Sequence, residues 1–464
     1  MKRLVAVIIT IIMVITLAAC GMKSDDLGTN EYYEGGSFAP AASVGGDVAG
    51  GIGAKINRVK AYESGEGIAY DAEEGGEYYG EEAGENEEPT QAGQITAKAW
   101  NDNEHYEQFL KLFADKTDND PEGKFHYYNT YTWHYDVSKR VKVTVTEGDK
   151  AVVGAEVTCF DADQNKCTVK TDVSGVAYIF PQTDAGSVTV KSGEGTVSDT
   201  FTAEKREITI DLAESRAQAN VIKLMFVIDA TGSMGDEMRY IEAELADVVH
   251  RVASQAEQVR IDLAILFYRD DGDQEKFAYH NFKTVTEEAG LNAQVTVLSR
   301  QRAEGGGDLP EAVDEALVLA AGKDWGEENS TKLMFLVLDA PPHNTDEDRV
   351  NIKNAVTAAA AKGIRICPVL CSGADDLCEY VTRMSALVTG GTSVFVTDDS
   401  GIGGAHLDPD LPEATVERLN DLMVRLIVGY HTGDFGTPVA WNAGRETGAQ
   451  GGEETALATD RSAT

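Results

Sequence analysis

The chain has 464 residues, and its 78 acidic against 40 basic side chains leave a formal charge of −38. A polyanion this strong repels phosphate backbones and anionic headgroups at long range, which excludes nucleic-acid binding as a working reading. The length suggests two or three domains.

Lys2 and Arg3 precede an uncharged apolar run from Leu4 to Ala19. That run is shorter than the ~20 residues a spanning helix needs, and it ends in small residues. Leu17-Ala18-Ala19-Cys20 resembles the lipobox of bacterial lipoproteins. The resemblance implies a signal peptide over 1–19 and an acylated Cys20. The protein would then be anchored by lipid on the extracytoplasmic face of a cell membrane, at the cell surface.

Residues 20–96 are Gly-rich and acidic, and 71–88 carry nine acids and no base. Such a stretch cannot bury enough apolar area to offset its chain entropy, so it reads as a disordered tether. Order is expected from about Ala97. An aromatic-rich segment, 97–136, places Trp100, Phe109 and Phe113 near helical spacing and then runs FHYYNTYTWHYD. It reads as a helix and strand packed on the next domain, the alternative being an exposed platform for sugar rings.

From 137 to 215 short alternating runs (RVKVTVTEG, AEVTCF, KCTVKT, GVAYIF, GSVTVKSG, REITIDL) are separated by turn signals. This is the rhythm of a small β-sandwich. The stretch VVGAEVTCFDADQNKCTVKTDVSGVAYIF resembles the carboxypeptidase-regulatory-like, transthyretin-type sandwich, which implies a spacer or interaction module.

From 219 to 432 the rhythm changes. Apolar strands LMFVI (224–228), IDLAILFY, KLMFLVLD, IRICPVL and TSVFV alternate with helical patterns such as Ile241, Leu245, Val248, Val249 and Val252. Continuous apolar strands between helices argue an α/β, doubly wound, mainly parallel sheet covered on both faces. Residues 433–464 read as a disordered tail.

Cysteine usage leaves two pairings open. With Cys20 acylated, five of the six cysteines remain, an odd number. Cys159 and Cys167 bracket a turn, Cys371 and Cys378 bracket a loop, and Cys367 reads as a buried apolar residue.

Ligands of open α/β sheets bind beyond the carboxyl ends of the strands. Here two strands run into acids, Asp229 and Asp339, and AEGGGDLPEAV presents Asp308 between them. Thr231 and Ser233 add hydroxyls on the turn after Asp229. No His or Cys ligand is evident, and all-oxygen coordination selects a hard divalent cation, Mg²⁺ first, or Mn²⁺ or Ca²⁺. Taken singly, these residues could equally cap helices or satisfy backbone amides.

Together, IDATGSM, AEGGGDLPEAV and LDAPPH resemble the three parts of the metal-ion-dependent adhesion site (MIDAS) of a von Willebrand factor A (vWA) domain. The resemblance implies that Asp229, Thr231 and Ser233 hold the cation or its waters, with Asp339 acting through water. Asp308 stands where that family usually has Thr, and an extra carboxylate lowers the ion's positive charge. The implied partner is a protein or a cell-surface or matrix ligand, bound through the metal. The alternatives are a metal-independent scaffold in envelope assembly and an enzyme. No Gly-x-Ser-x-Gly element or paired-Asp phosphoryl-transfer motif is present, so the chain is read as a binding protein and not an enzyme. His343 reads as a satisfied loop histidine. FYRDDGDQEKF reads as a solvated turn or a second cation loop.

Overall fold

The computed structural model describes residues 90–116, 122–255, 259–307, 309–326, 329–409, 411 and 413–443. The leader, Cys20 and most of the acidic stretch lie outside the described residues, as does Asp308.

In chain order, β1 (Thr96–Trp100) and helix α1 (Tyr106–Lys111) precede a helical turn, His126–Tyr128, that widens into π-helical Asn129–Trp133. Eight strands follow: β2 (Val141–Glu147), β3 (Lys150–Ala151), β4 (Glu156–Asp161), β5 (Lys166–Lys170), β6 (Val176–Ile179), β7 (Gly186–Ser192), β8 (Gly195–Phe201) and β9 (Glu207–Asp211). The larger unit has β10 (Val221–Asp229), α2 (Met238–Gln255), β11 (Arg260–Tyr268), β12 (Phe277–Thr284), α3 (Glu288–Arg300), α4 (Val313–Gly322), β13 (Thr331–Leu338) and α5 (Asp346–Lys362). It ends with β14 (Ile364–Leu370), α6 (Asp376–Thr389), β15 (Ser393–Val396), β16 (Glu417–Arg418) and α7 (Leu419–Thr432).

The large sheet runs β12-β11-β10-β13-β14-β15-β1-β16. Its five central strands, β11 to β15 in that order, are parallel, while β12, β1 and β16 pair antiparallel. The sheet is therefore mixed, parallel at its centre and antiparallel at its edges. All nine residues of β10 are buried, because helices cover both faces. Side chains alternate between the faces. Leu224, Phe226 and Ile228 enter one core with α2 and α7, and Met225 and Val227 enter the other with α4, α5 and α6.

The strand β1 belongs to this sheet, with Ala97 opposite Val396, although more than a hundred residues separate it from β10. Order begins before Ala97: Glu244 of α2 accepts the Gly93, Gln94 and Ile95 amides at 2.7, 2.7 and 3.0 Å. The segment 97–136 holds both a strand, β1, and a helix, α1, while its densest aromatic stretch, 126–133, is helical. Its Phe125 and Trp133 pack with Tyr380 of α6, so tertiary contacts override β propensity there. Residues after 432 are not all tail: Phe435 packs edge-on against Tyr430, and the Trp441 amide donates to Val416 O at 2.9 Å.

The segment 141–211 forms two small sheets around one apolar cluster. In one, β2 pairs antiparallel with β3 and β6 and parallel with β9; the other is antiparallel, in the order β5-β4-β7-β8. Ala360 of α5 enters that cluster, and Arg365 of β14 donates to Lys170 O at 2.9 Å. Cys159 and Cys167 are direct register partners across β4 and β5. They are free thiols in the structure, as are the buried Cys367, Cys371 and Cys378, so neither pairing left open by the sequence is formed.

Candidate metal centre

The carboxyl ends of β10, β11 and β13 meet at one edge of the sheet. Asp229 closes β10 opposite Tyr268 of β11, and Asp339 directly follows β13, whose Val337 pairs with Ile228. After Asp229 the chain stays extended at Thr231 and then turns through 3₁₀ Gly232–Asp236. This fold-back brings the Thr231 amide and hydroxyl to Asp229 Oδ1 at 2.9 and 2.7 Å. The Thr231 and Ser233 hydroxyls are 3.1 Å apart.

The glycine loop is stitched to this turn. Glu304 N donates to Ala230 O and Gly232 N to Gly305 O, at 3.0 and 3.1 Å. Gly305 and Gly306 have φ of +82° and +73°, a region that glycine enters without strain. A Cβ on Gly305 would stand 2.5 Å from the Asp273 carboxylate. That carboxylate accepts the Gly306 amide at 2.9 Å.

Three acids here have an oxygen without a partner. Asp229 Oδ2, Asp339 Oδ1 and Glu311 Oε2 are buried with no donor at hydrogen-bond geometry, and the buried Tyr268 hydroxyl stands beside Asp229, favouring its charged form. The residues are 0, 3, 2 and 0% exposed, in the order Asp229, Asp339, Glu311, Tyr268. Burial pushes the Asp229 carboxyl up to about 6, against Thr231 hydrogen bonds that favour its charge. Burial and the neighbouring Asp229 push Asp339 up to about 7. Burial, then Asp229, Asp270 and Asp339, push Glu311 up to about 9.

The turn after β11 is largely exposed at Asp271, Gly272, Gln274 and Glu275, but two of its carboxylates already have partners. The buried Asp270 carboxylate bonds His343 Nε2 at 2.7 Å, and Asp271 pairs with Lys276. Burial opposes the positive charge on His343, but Asp270 outweighs it and raises the imidazole pKa. The histidine is thus held by a loop carboxylate.

The residues present suit a hard cation. Asp229, Thr231 and Ser233 gather on one turn, and Asp339 faces Asp229 from the next strand. Buried carboxylate oxygens without donors are costly unless a proton or a cation meets them. Among the described residues, no three His, Cys, Asp or Glu side chains could hold an ion on their own. Neutral hydroxyls must complete the shell, and this turn supplies them.

Glu311 is the residue that the sequence reading missed. It lies in the loop just before α4, which starts at Val313. The signal was an acid directly after Pro310, in a loop that already carried Asp308.

A family profile described as the von Willebrand factor A domain matches residues 223–392, less than half of the chain. Two curated relatives match. The alpha-protein kinase vwkA of Dictyostelium discoideum is 28% identical over 145 residues, 31% of this chain and 22% of that protein. An ariadne-like RING finger protein of Acanthamoeba polyphaga mimivirus is 24% identical over 196 residues, 38% of this chain and 18% of that protein. The chain thus spans about a fifth of the length of each. Similar solved structures include the pilus adhesin SpaC from Lactobacillus rhamnosus GG in an open conformation. The identity is 9% and the TM-score 0.33, covering 54% of this chain and 33% of that one. BatB from Bacteroides thetaiotaomicron is 15% identical with a TM-score of 0.25, covering 37% of this chain and 87% of that one. Residues 223–392 of this chain are a von Willebrand factor A domain.

Proposed function

We propose that this protein is an extracytoplasmic binding protein, held at the membrane by lipid on Cys20, whose vWA domain engages a protein or matrix partner through a divalent cation. The cation, Mg²⁺ first, sits on Asp229, Thr231 and Ser233, with Asp339 acting through water. One observation carries the reading: a strand-end Asp and two hydroxyls share a turn on which the buried carboxylate oxygens lack donors. A bound ion would meet those oxygens and keep a position for an oxygen of the partner.

Binding, not catalysis, is the role proposed. The word kinase in one relative's name describes a protein of which this chain matches 22%. The small domain at 141–211 serves as a spacer or interaction module of the carboxypeptidase-regulatory-like kind. No helix among the described residues is long and apolar enough to cross a membrane. The lipid attachment proposed here rests on Leu17-Ala18-Ala19-Cys20.

The test is capture of cell-surface proteins or matrix on the immobilised protein, with and without EDTA. Capture that EDTA abolishes, and that the Asp229→Ala variant lacks, supports this reading. Capture that survives both changes points to a metal-independent scaffold.

A further inference from the structure

Glu311 has no role in the cation site as proposed, yet its carboxyl group is enclosed beside that site. The residue is 2% exposed, and its Oε2 has no donor. Its main chain is fixed on the far side. The Glu311 amide donates to Pro341 O at 3.0 Å, and the residue bridges in parallel to Pro342, so it moves with the loop that carries Asp339. Its side chain turns toward the glycine loop. A Cβ placed on Gly306 would lie 3.1 Å from Glu311 Oε1 and 3.2 Å from Thr231 Cβ. The carboxylate and Thr231 therefore flank the same glycine, and the Thr231 hydroxyl already joins Asp229 to Ser233. The buried Tyr268 hydroxyl stands beside Asp229 and favours its charged form.

We propose that Glu311 is a second carboxylate ligand of the cation, and that the loaded site therefore takes a neutral oxygen or a basic group from its partner rather than a carboxylate. The proposal rests on the cation site proposed above and deepens it. Two carboxylates neutralise a divalent ion, and Asp339 close by makes the loaded site net negative. A partner carboxylate would then meet like charge at short range, in a setting where burial weakens screening. A backbone carbonyl, an amide or a hydroxyl pays no such penalty, and an ammonium or guanidinium is attracted.

The experiment is Mn²⁺ binding followed by water-proton relaxation on the purified full chain. Wild type, Glu311→Gln and Asp229→Ala are compared with and without excess acetate as the carboxylate probe. The proposal expects Glu311→Gln to keep the wild-type circular dichroism and to bind Mn²⁺ about 10–100-fold more weakly. It also expects acetate to displace ion-bound water in that variant and not in wild type. If the Gln variant does not fold, Glu311→Asp keeps the charge on a shorter arm. It should bind more weakly than wild type and remain insensitive to acetate. Wild-type affinity in Glu311→Gln, or acetate entering the wild-type shell, overturns the proposal while leaving the cation site intact. A wild type that binds no Mn²⁺, or an Asp229→Ala variant that binds it equally well, removes the cation site and this proposal with it.

Discussion

Two buried clusters of charge in this molecule have opposite fates. Under α6, Arg383 donates through Nε to Asp102 at 3.0 Å and through a terminal nitrogen to Glu379 at 2.8 Å, and Lys124 pairs with Glu379 as well. Every acid there faces a cation of the protein. At the end of β10, Asp229, Glu311 and Asp339 share a site with a buried tyrosine hydroxyl, each with a carboxylate oxygen that lacks a partner among the described residues. The first cluster is complete, and it clamps the aromatic segment around Asp102 onto the vWA unit. The second is complete only with protons or with a cation from outside. Burial alone does not mark a functional acid; burial without a partner does.

The largest effect is expected from breaking the complete cluster. Arg383→Ala leaves Asp102 and Glu379 buried without their main cation, at a cost of about 3–5 kcal/mol. Denaturant unfolding should show that loss. The stabilisation that Mg²⁺ gives should persist in the variant, because the cation site lies elsewhere.

The incomplete cluster should respond in the opposite sense. Asp229→Asn removes one unmatched charge and keeps the acceptor for Thr231. Its ion-free form should be more stable than wild type by roughly 2 kcal/mol at pH 8, and Mg²⁺ should add nothing. A variant less stable than wild type at that pH would mean that the acids are already satisfied.

The smallest effect, and the sharpest in sign, is the pH dependence. Asp229, Asp339 and Glu311 are raised to about 6, 7 and 9, above the range of unfolded carboxyls. Between those limits the folded state binds more protons than the unfolded state. The contribution of these groups is therefore highest below about pH 4 and is lost as pH rises through the three values. The ion-free melting temperature of wild type, relative to Asp229→Asn, should fall from pH 5.5 to pH 8. The rise in melting temperature on adding Mg²⁺ should be larger at pH 8, where protons no longer compete with the ion.

Much of the large sheet was legible because fully buried strands leave continuous apolar runs, and LMFVI and LMFLVL need no partner to be recognised. Asp229, Thr231, Ser233 and Asp339 were legible for the same reason, since polar residues that end such runs stand out. The contribution of β1 was not, because its pairing with Val394 and Val396 spans some 300 residues of sequence. The strand β12 and helix α3 were missed because FAYHNFKT is only partly buried and lacks a clean alternation. Glu311 carries no local signal beyond an acid after a proline; what reveals it is the long-range pairing with Pro341 and Pro342. The Asp270–His343 pair likewise joins loops that are distant in the chain.

The most direct test is a calorimetric titration of the purified protein with Mg²⁺ at pH 7.5, beside Asp229→Asn. A single saturable site in wild type and no heat in the variant is the predicted result. A folded wild type with no binding, or a variant that binds as wild type does, would contradict the claim that the unpaired acids at the end of β10 are a cation site.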